Sequence, residues 1–579
     1  MQDKAKISFP SSKKELKFFG WEQPDIILIS GDAYIDHPAF GVAIIARVLE
    51  DSGYKVAVIP QPNCKDDLRD FKKLGKPRLF FGVSAGNMDS MVNHYTANKR
   101  LRSDDAYTPG GKAGFRPDYA SMVYSNILKS LFPDVPVIIG GIEASMRRFT
   151  HYDYWQDKLL PTILHSSKAD ILCYGMAEKS IVEIASNIDK TGHIYEVFDI
   201  KQIAYLGDTD DSKSDDIILN SHKDCLKNKN KYAENFIIIE KESNKYNSRQ
   251  RITQIVDNKK LIVNPHENVL SEKEIDSIYN LPYTGFPHPR YNKKEPVPAY
   301  EMIKNSVTIH RGCFGGCSFC TISAHQGKFI SSRSKASIIN ELEKISKRHD
   351  FKGHISDIGG PTANMYKMKG INIRLCEKCN KASCIFPDIC KNLNCSHKPL
   401  TELYKKTTEI NGIKKVTVGS GIRYDLCLAE TGSKQTDKEN SEYVEILIKN
   451  HVSGRLKVAP EHTSQKLLQL MRKPSFGIFR KFKKIFDKIN SGYNLNQQLV
   501  PYFISAHPGC TENDMAELAG ETKDLGFKLE QVQAFTPTPM TLSAVMYHTG
   551  KCPYTKKPVF VAKTNEERKK QIRHFFWYK

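Results

Sequence analysis

The sequence of 579 residues lacks any apolar run long enough to cross a bilayer. Its longest apolar stretches, such as residues 26–29 and 135–139, have the length of strands, whereas a transmembrane helix needs about 20 apolar residues. The N-terminal segment also lacks the continuous apolar core of a secretory signal. We therefore expect a cytoplasmic protein without a membrane partner, and in that compartment thiols stay reduced. With 40% hydrophobic and 26% charged residues, the composition excludes wholesale disorder.

Acidic residues are scarce relative to basic ones, since 65 Asp and Glu against 86 Lys and Arg leave a net charge of +21. Residues 465–490 carry eight basic side chains and one acidic one, and residues 551–579 carry nine and two. The first segment has phenylalanines at helical spacing, which predicts a helix with its lysines in solvent. These phenylalanines are Phe476, Phe479, Phe482 and Phe486. The second segment is interpreted as a basic tail, for which a solvated end is favoured over contact with nucleic acid.

Strand-length apolar runs separated by helix-length segments occupy residues 1–205. Buried parallel strands have such continuous apolar sequences. The pattern predicts an α/β fold with a Rossmann-like, doubly wound N-terminal domain, whose ligands would lie beyond the carboxyl ends of the strands. Gly and Asp residues at those ends fit either a ligand crevice or tight strand-to-helix turns.

The rest of the chain divides into three further segments. Residues 206–300 are polar and then rich in Pro and Tyr, and are interpreted as a connector and linker. Residues 301–550 repeat a strand, a polar loop and a helix, which is typical of a full or partial (β/α) barrel with its chemistry at the carboxyl ends of the strands. Residues 551–579 form the predicted tail.

Eight of the 14 cysteines lie between residues 313 and 395, and in a reduced compartment such clustering favours metal ligands over disulfides. Cys313, Cys317 and Cys320 have C-x3-C-x2-C spacing after a predicted strand, and three thiolates on one loop can hold three irons of a 4Fe–4S cluster. The fourth iron stays open to a substrate or cofactor, whereas a structural zinc site closes with four ligands. Phe319, directly before the last cysteine, is expected to shield the cluster from water.

This cysteine motif and several long blocks of sequence resemble the YgiQ family of radical S-adenosylmethionine (SAM) proteins. The blocks are DAYIDHPAFG, GGIEASMRRFTHYDYW, LPYTGFPHPRY, HRGCFGGCSFCTISAHQG, SSRSKASI, LKVAPEHT and LVPYFISAHPGC. The resemblance implies a Rossmann-like domain similar to cobalamin-binding domains, followed by a radical SAM barrel. It further implies an enzyme in which the open iron binds SAM, whose reductive cleavage yields a 5′-deoxyadenosyl radical that abstracts hydrogen from an unknown substrate. The electron would come from a reductant such as flavodoxin or ferredoxin.

The resemblance also implies where SAM binds. Radical SAM proteins hold the SAM amino group with a Gly-Gly-Glu-like edge after the second barrel strand. The matching residues here are Gly359, Gly360 and Pro361, without the Glu. After the next strand, the candidates for the SAM ribose and carboxylate are Ser420, Gly421 and Arg423. An Arg suits a bidentate carboxylate contact.

A second cysteine group lies in an insertion at residues 374–398 of the barrel. Its expected metal ligands are Cys376, Cys379, Cys384 and Cys390, with Cys395 or His397 as substitutes. The spacing leaves open whether the metal is zinc, which would brace the insertion, or a second 4Fe–4S cluster. The iron–sulfur chemistry expected nearby favours the cluster.

Two other functions remain open. An RNA-modifying radical SAM enzyme of the methylthiotransferase type would need three further cysteines in the N-terminal domain, where Cys64 and Cys173 are the only two. A non-catalytic iron–sulfur regulatory protein would bind the cluster without cleaving SAM. Cobalamin is not favoured, because the D-x-H-x-x-G motif that supplies its His ligand is absent: Asp36 and His37 are adjacent, and Gly41 follows four residues later.

Overall fold

The structure is a computed structural model that describes residues 9–527 and 532–575. The strands of the N-terminal half are β1 (Ile26–Ser30), β2 (Val56–Pro60), β3 (Phe80–Ser84), β4 (Val137–Gly140), β5 (His151–Asp153), β6 (Lys158–Leu160), β7 (Ile171–Cys173), β8 (Ile203–Gly207), β9 (Ile217–Ile218), β10 (Ile252–Val256) and β11 (Lys259–Val263). Its helices are α1 (Lys13–Phe19), α2 (Gly41–Asp51), α3 (Arg69–Lys72), α4 (Ser90–His94), α5 (Ala120–Leu131), α6 (Gly141–Met146), α7 (Ile163–Ser167), α8 (Glu178–Thr191), α9 (His222–Lys227), α10 (Lys229–Ser243), α11 (Glu272–Tyr279) and α12 (Pro298–Ile303).

A large sheet with strand order β2-β1-β3-β4-β7-β8-β11-β10-β9 organises this half. The neighbours from β2 to β7 are all parallel. Within β1, Ile26 and Leu28 pack into one core with α2 and α8, while Ile27 and Ile29 pack into another with α5 and α7. Because both faces of the strand are covered, every position is buried, which explains its uninterrupted apolar sequence.

The prediction of a connector over residues 206–300 is wrong for residues 217–263. Strands β9, β10 and β11 extend the sheet, and β10 and β11 pair antiparallel. Helix α10 packs Tyr232 and Phe236 into a core that also contains Tyr547 of the C-terminal part. The charged loop before β9 and the short length of that strand hid these elements in the sequence.

The strands of the second half are β12 (Ser306–Thr308), β13 (His310–Arg311), β14 (Ser331–Ser332), β15 (His354–Ile355), β16 (Asp357–Gly359), β17 (Lys369–Gly370), β18 (Leu393–Asn394), β19 (Lys415–Val416), β20 (Arg455–Glu461), β21 (Gln498–Ser505) and β22 (Gln533–Ala534). Most of these strands have two or three residues, and only β20 and β21 are longer. The helices are α13 (Ile322–Gln326), α14 (Lys335–Ser346), α15 (Ile373–Glu377), α16 (Lys398–Thr407), α17 (Tyr424–Cys427), α18 (Lys434–His451), α19 (Gln465–Met471), α20 (Phe476–Gly492), α21 (Glu512–Asp524), α22 (Leu542–Thr549) and α23 (Asn565–Arg573).

Seven of these strands pair in parallel: β12 with β16, β15 with β19, and β20 with β21 and then β22. The pairs β13–β14 and β17–β18 are antiparallel. A parallel bridge between Ile422 and Val458 joins the β19 side to β20. Helix α20 buries its four phenylalanines against this array, as the sequence predicts. The described part of the chain contains no helix that is long and apolar enough to span a membrane.

The prediction of a solvated basic tail is wrong for residues 565–575. Arg568 and Gln571 of α23 are almost fully buried, and so is Phe575. The Arg568 guanidinium donates to the Tyr154 hydroxyl and to the Phe535 carbonyl oxygen. The basic composition concealed a helix that buries two polar side chains, Arg568 and Gln571. Residues 576–579 lie outside the described residues.

We expect Arg568→Ala to destabilise the protein, because two buried acceptors lose a charged donor, at a cost of about 2–3 kcal/mol. Thermal unfolding followed by circular dichroism should show a lower midpoint. The matched control is Lys569→Ala, which removes an exposed charge from the same helix and should leave the midpoint nearly unchanged. Equal midpoints for the two variants would contradict the buried role of Arg568.

Candidate active site

The first cysteine loop follows β13 and ends at α13. Two glycines in left-handed backbone conformation shape it, Gly312 with φ +87° and Gly316 with φ +62°. A Cβ atom on Gly312 would lie 2.3 Å from the Phe329 carbonyl oxygen, and one on Gly316 would lie 2.4 Å from that of Ala382. Only glycine fits at both positions, so the loop can close tightly around its cysteines.

The thiols of Cys313, Cys317 and Cys320 are partly buried and electrostatically coupled. Burial, together with the neighbouring thiols, raises the pKa of Cys320 to about 12. A Cβ on Gly315 would lie 3.3 Å from the Cys313 Sγ and 3.9 Å from the Cys317 Sγ, so the glycine keeps the space beside these sulfurs free. The described residues contain no set of side chains placed to hold a single metal ion. A 4Fe–4S cluster would not need such a set, because each thiolate binds its own iron.

A buried guanidinium lies beside the cysteines. The Nη1 of Arg423 is 3.5 Å from the Cys317 Sγ, and its Nε donates to the Asp425 carboxylate at 2.8 Å. Its backbone N–H donates to the Asn364 side-chain oxygen. The Arg423 charge therefore compensates both Asp425 and a thiolate at Cys317, and its bidentate edge is occupied by Asp425.

The glycine edge after β16 lies next to the same loop. The Thr362 Oγ1 is 3.6 Å from the Cys313 Sγ. A Cβ on Gly360 would lie 2.6 Å from the His310 ring, which brings that ring against the Gly360 backbone. Ser420 donates its hydroxyl and its N–H to the Asp357 carboxylate, and burial raises the pKa of Asp357.

A cavity of about 550 Å³ separates this edge from the N-terminal sheet. Among the residues predicted to bind SAM, those that line it are Gly359, Gly360, Pro361 and Ser420. Asp357, which the sequence reasoning missed, lines it as well, whereas Gly421 and Arg423 do not. The opposite wall consists of the carboxyl ends of β1, β3, β4 and β7. The volume lies in the range of small-molecule sites.

Two histidines also line this cavity, His310 of β13 and His325 of α13. His310 is fully buried, and neither ring nitrogen has a well-formed hydrogen bond, although the Thr362 backbone is near. Burial lowers the pKa of His310 to about 3 and that of His325 to about 4, so both rings are neutral at physiological pH. Both therefore offer hydrogen-bonding groups to a ligand without adding charge.

Residues of the C-terminal part of the chain pack against the cysteine loop and bond to it. Ser318 is buried between two of the cysteines, and its carbonyl oxygen accepts the Ser543 N–H at 2.9 Å. The two hydroxyls lie 2.8 Å apart, and the His507 Nε2 is 2.7 Å from the Ser543 Oγ. Phe319 meets His507 edge-on, with ring centroids 6.1 Å apart. Ser318 and Ser543 were missed because their contact spans 225 residues and leaves no local pattern.

Glu461, at the end of β20, has a left-handed backbone with φ +68° at an irregularity in the strand pairing. Its carboxylate lies 3.7 Å from the Lys473 Nζ, and burial raises its pKa. Glu461 also interacts electrostatically with the Cys320 thiol. Functional sites often contain such a residue, with a strained backbone and a buried carboxylate, and here it lies beside the first cysteine loop.

The second cysteine group is held by the hairpin of β17 and β18. The four predicted ligands, Cys376, Cys379, Cys384 and Cys390, are coupled electrostatically. Burial raises the pKa of Cys384 to about 11. Cys395 is buried in a small apolar core against which Cys384 also packs, and His397 stacks on Tyr443 and contacts Asn440. Their role as substitute ligands stays a prediction.

We expect Gly316→Ala to lose most of the iron that the reconstituted protein holds, because the new Cβ collides with the Ala382 carbonyl and opens the cysteine loop. Iron analysis and the visible absorption of the anaerobic protein measure this. Gly432→Ala is the matched control, since it has a similar φ of +76° and open space around the Cβ. Full iron content in the Gly316 variant would contradict the tight loop.

Comparisons with known proteins identify the family of the chain. The family described as Radical SAM N-terminal matches residues 8–306, and a domain of unknown function, DUF3362, matches residues 530–579. A UPF0313 protein of Bacteroides thetaiotaomicron is 58% identical over 98% of this chain and 94% of its own length. A UPF0313 protein of Porphyromonas gingivalis is 57% identical over 98% of this chain and 90% of its own length.

Among solved structures, the radical SAM methyltransferase TsrM from Kitasatospora setae, with cobalamin and a [4Fe-4S] cluster bound, has a TM-score of 0.50 and 13% identity. The match covers 90% of this chain and 77% of TsrM, and it shows a similar mixed α/β fold. The family match and the high identity to these relatives carry the assignment. The chain belongs to the UPF0313, or YgiQ, family of radical SAM proteins.

Proposed function

We propose that the chain is a radical SAM enzyme that acts on a substrate in the cavity between the barrel and the N-terminal sheet. The observation that carries this proposal is the convergence of the cysteine loop, the predicted SAM residues and the cavity. Gly359, Gly360 and Ser420 line the cavity, and Thr362 reaches from the same edge to Cys313. A 4Fe–4S cluster with bound SAM would supply a 5′-deoxyadenosyl radical for hydrogen abstraction.

In this proposal Cys313, Cys317 and Cys320 hold the cluster, and the backbone of Gly359 and Gly360 holds SAM. Asp357 keeps Ser420 in place through two hydrogen bonds. The contacts of Arg423 favour a role beside the Cys317 thiolate, where a fixed positive charge stabilises the anionic cluster. The sequence-based role of Arg423 at the SAM carboxylate remains a prediction, as does the shielding by Phe319.

The cavity walls favour a partly apolar substrate with hydrogen-bonding groups. Apolar side chains of the sheet and of α2, such as Leu28, Val83 and Ile45, line the cavity. His310 and His325 line it from the C-terminal half of the chain. Because both rings are neutral, they can orient a substrate by hydrogen bonds while the apolar wall excludes water from a radical intermediate.

The second cysteine group is proposed to hold an iron–sulfur cluster instead of zinc. Zinc would close the site and only brace the insertion. The Cys384 N–H donates to the Phe314 carbonyl oxygen, next to Cys313. This direct contact with the first cysteine loop favours a redox cluster at the second group.

We expect the reconstituted, reduced protein to cleave SAM and to release 5′-deoxyadenosine, which chromatography with mass detection measures. Cys317→Ala should abolish the cleavage, because one of three iron ligands is lost. Roughly eight irons per chain would support two clusters, and roughly four would support one cluster with a different metal at the second site.

Two further variants sharpen this test. Cys64→Ala removes an isolated thiol and should cleave SAM at the wild-type rate. Gly360→Ala should keep its iron but raise the KM for SAM, because a Cβ there displaces the His310 ring.

Wild-type protein that fails to cleave SAM would favour the non-catalytic regulatory alternative. The methylthiotransferase alternative gains no support, since Cys173 lies in β7 and Cys64 lies in the loop after β2.

The absence of a His-ligated cobalamin remains a prediction, and the neighbour TsrM was solved with cobalamin. In this chain Asp36 pairs with Arg47, and the His37 Nδ1 accepts the Ala39 N–H, so both side chains are engaged away from the cavity. We expect protein purified after growth with hydroxocobalamin to show no cobalamin absorption. Retained cobalamin, still bound in His37→Ala, would instead indicate binding without that His.

A further inference from the structure

The two cysteine groups lie in direct contact through their backbones. The Cys384 N–H donates to the Phe314 carbonyl oxygen at 3.0 Å, and the Ser383 hydroxyl donates to that of Gly315 at 2.8 Å. Phe314 is bonded to Cys313. Cys384 of the second group therefore bonds directly to Phe314, the residue that follows Cys313 of the first group.

A buried cation stabilises the second group on its inner side. Lys328 is 1% exposed, and its Nζ lies 3.8 Å from the Cys379 Sγ and 2.6 Å from the Lys381 carbonyl oxygen. A buried cation therefore lies beside the sulfur of one predicted ligand, where it would stabilise an anionic metal site.

The outer side of the second group faces solvent. Cys390 is exposed, and the apolar side chains of Ile371 and Leu375 are 72% and 56% exposed. Ile371 donates its N–H to the Asn392 carbonyl oxygen, close to Cys390, and Leu375 directly precedes Cys376. Basic side chains surround this patch, and all of them are exposed: Lys369, Arg374, Lys378, Lys381 and Lys391. None of these five forms an ion pair with another described residue, and the acidic residues in the insertion are Glu377 and Asp388.

We propose that this basic face is the docking site of an acidic one-electron carrier protein, and that the second cysteine group holds the iron–sulfur cluster through which the electron enters. The proposal rests on the proposed function. A cluster held by the second group would accept one electron from the reduced carrier, which is oxidised, and would pass it to a cluster at the first cysteine loop. No bond forms or breaks in this transfer and no proton moves. SAM cleavage would then consume the electron. The basic rim selects an acidic partner, and the exposed Ile371 and Leu375 give it a small apolar contact.

The test compares two reductants on the full-length, anaerobically reconstituted protein. The triple variant Arg374→Glu, Lys378→Glu, Lys391→Glu should release 5′-deoxyadenosine at least about tenfold more slowly with reduced flavodoxin as donor, because association loses its electrostatic attraction. With dithionite, a small anion that needs no docking face, its rate should stay within about twofold of wild type. The matched control is Lys481→Glu, Lys484→Glu, Lys488→Glu on α20, which has the same charge change and should leave both rates unchanged.

A second pair of measurements separates this proposal from the proposed function. In Cys317→Ala, which cannot hold the first cluster intact, reduced flavodoxin should still reduce the second cluster, seen as an electron paramagnetic resonance signal. Cys376→Ser with Cys390→Ser should lower the iron content by about half. It should also lose flavodoxin-driven turnover and keep dithionite-driven turnover.

Zinc at the second group, or equal flavodoxin-driven rates for the triple variant and wild type, would overturn the electron-entry proposal while leaving SAM cleavage intact. Failure of wild type to cleave SAM with dithionite would reject the proposed function. In that case the flavodoxin-dependent signal of Cys317→Ala still decides whether the basic face admits an electron.

Discussion

The candidate site depends on one buried ion pair between the two halves of the chain. Arg311, two residues before the first cysteine, pairs with Glu178 at the start of α8, and both side chains are only 5% exposed. The Tyr279 hydroxyl accepts from the same guanidinium. Because neither charge tolerates burial alone, the separation of β13 from α8 would cost a large amount of free energy. The pair thus holds the cluster loop, the cavity and the carboxyl edge of the sheet in one arrangement.

Features that depend on local pattern could be predicted from the sequence. The apolar runs gave the parallel strands, since strands covered on both faces have no polar positions. The phenylalanines of α20 face the core at the expected spacing. The C-x3-C-x2-C motif located the cysteine loop, because three thiols on one turn need only neighbouring residues and glycines between them.

Features that depend on distant contacts could not be predicted. Strand β9 has only two residues and joins the sheet through β10, and Arg568 acquires its partners from Tyr154 and Phe535. Asp357 has no motif of its own, so its place in the cavity wall and its bonds to Ser420 could not be predicted. In each case a short or charged segment looks solvated in sequence and is ordered by a neighbour far along the chain.

The contact between Ser318 and Ser543 also sets an order of events during synthesis. The cysteine loop is made long before residue 543 leaves the ribosome, and until then Ser318 lacks the N–H and hydroxyl that fix it from behind. Domains made first fold first, so the N-terminal sheet is in place while the loop is still without its support. The cysteine loop therefore reaches its final packing only after α22 has been made and has docked against it.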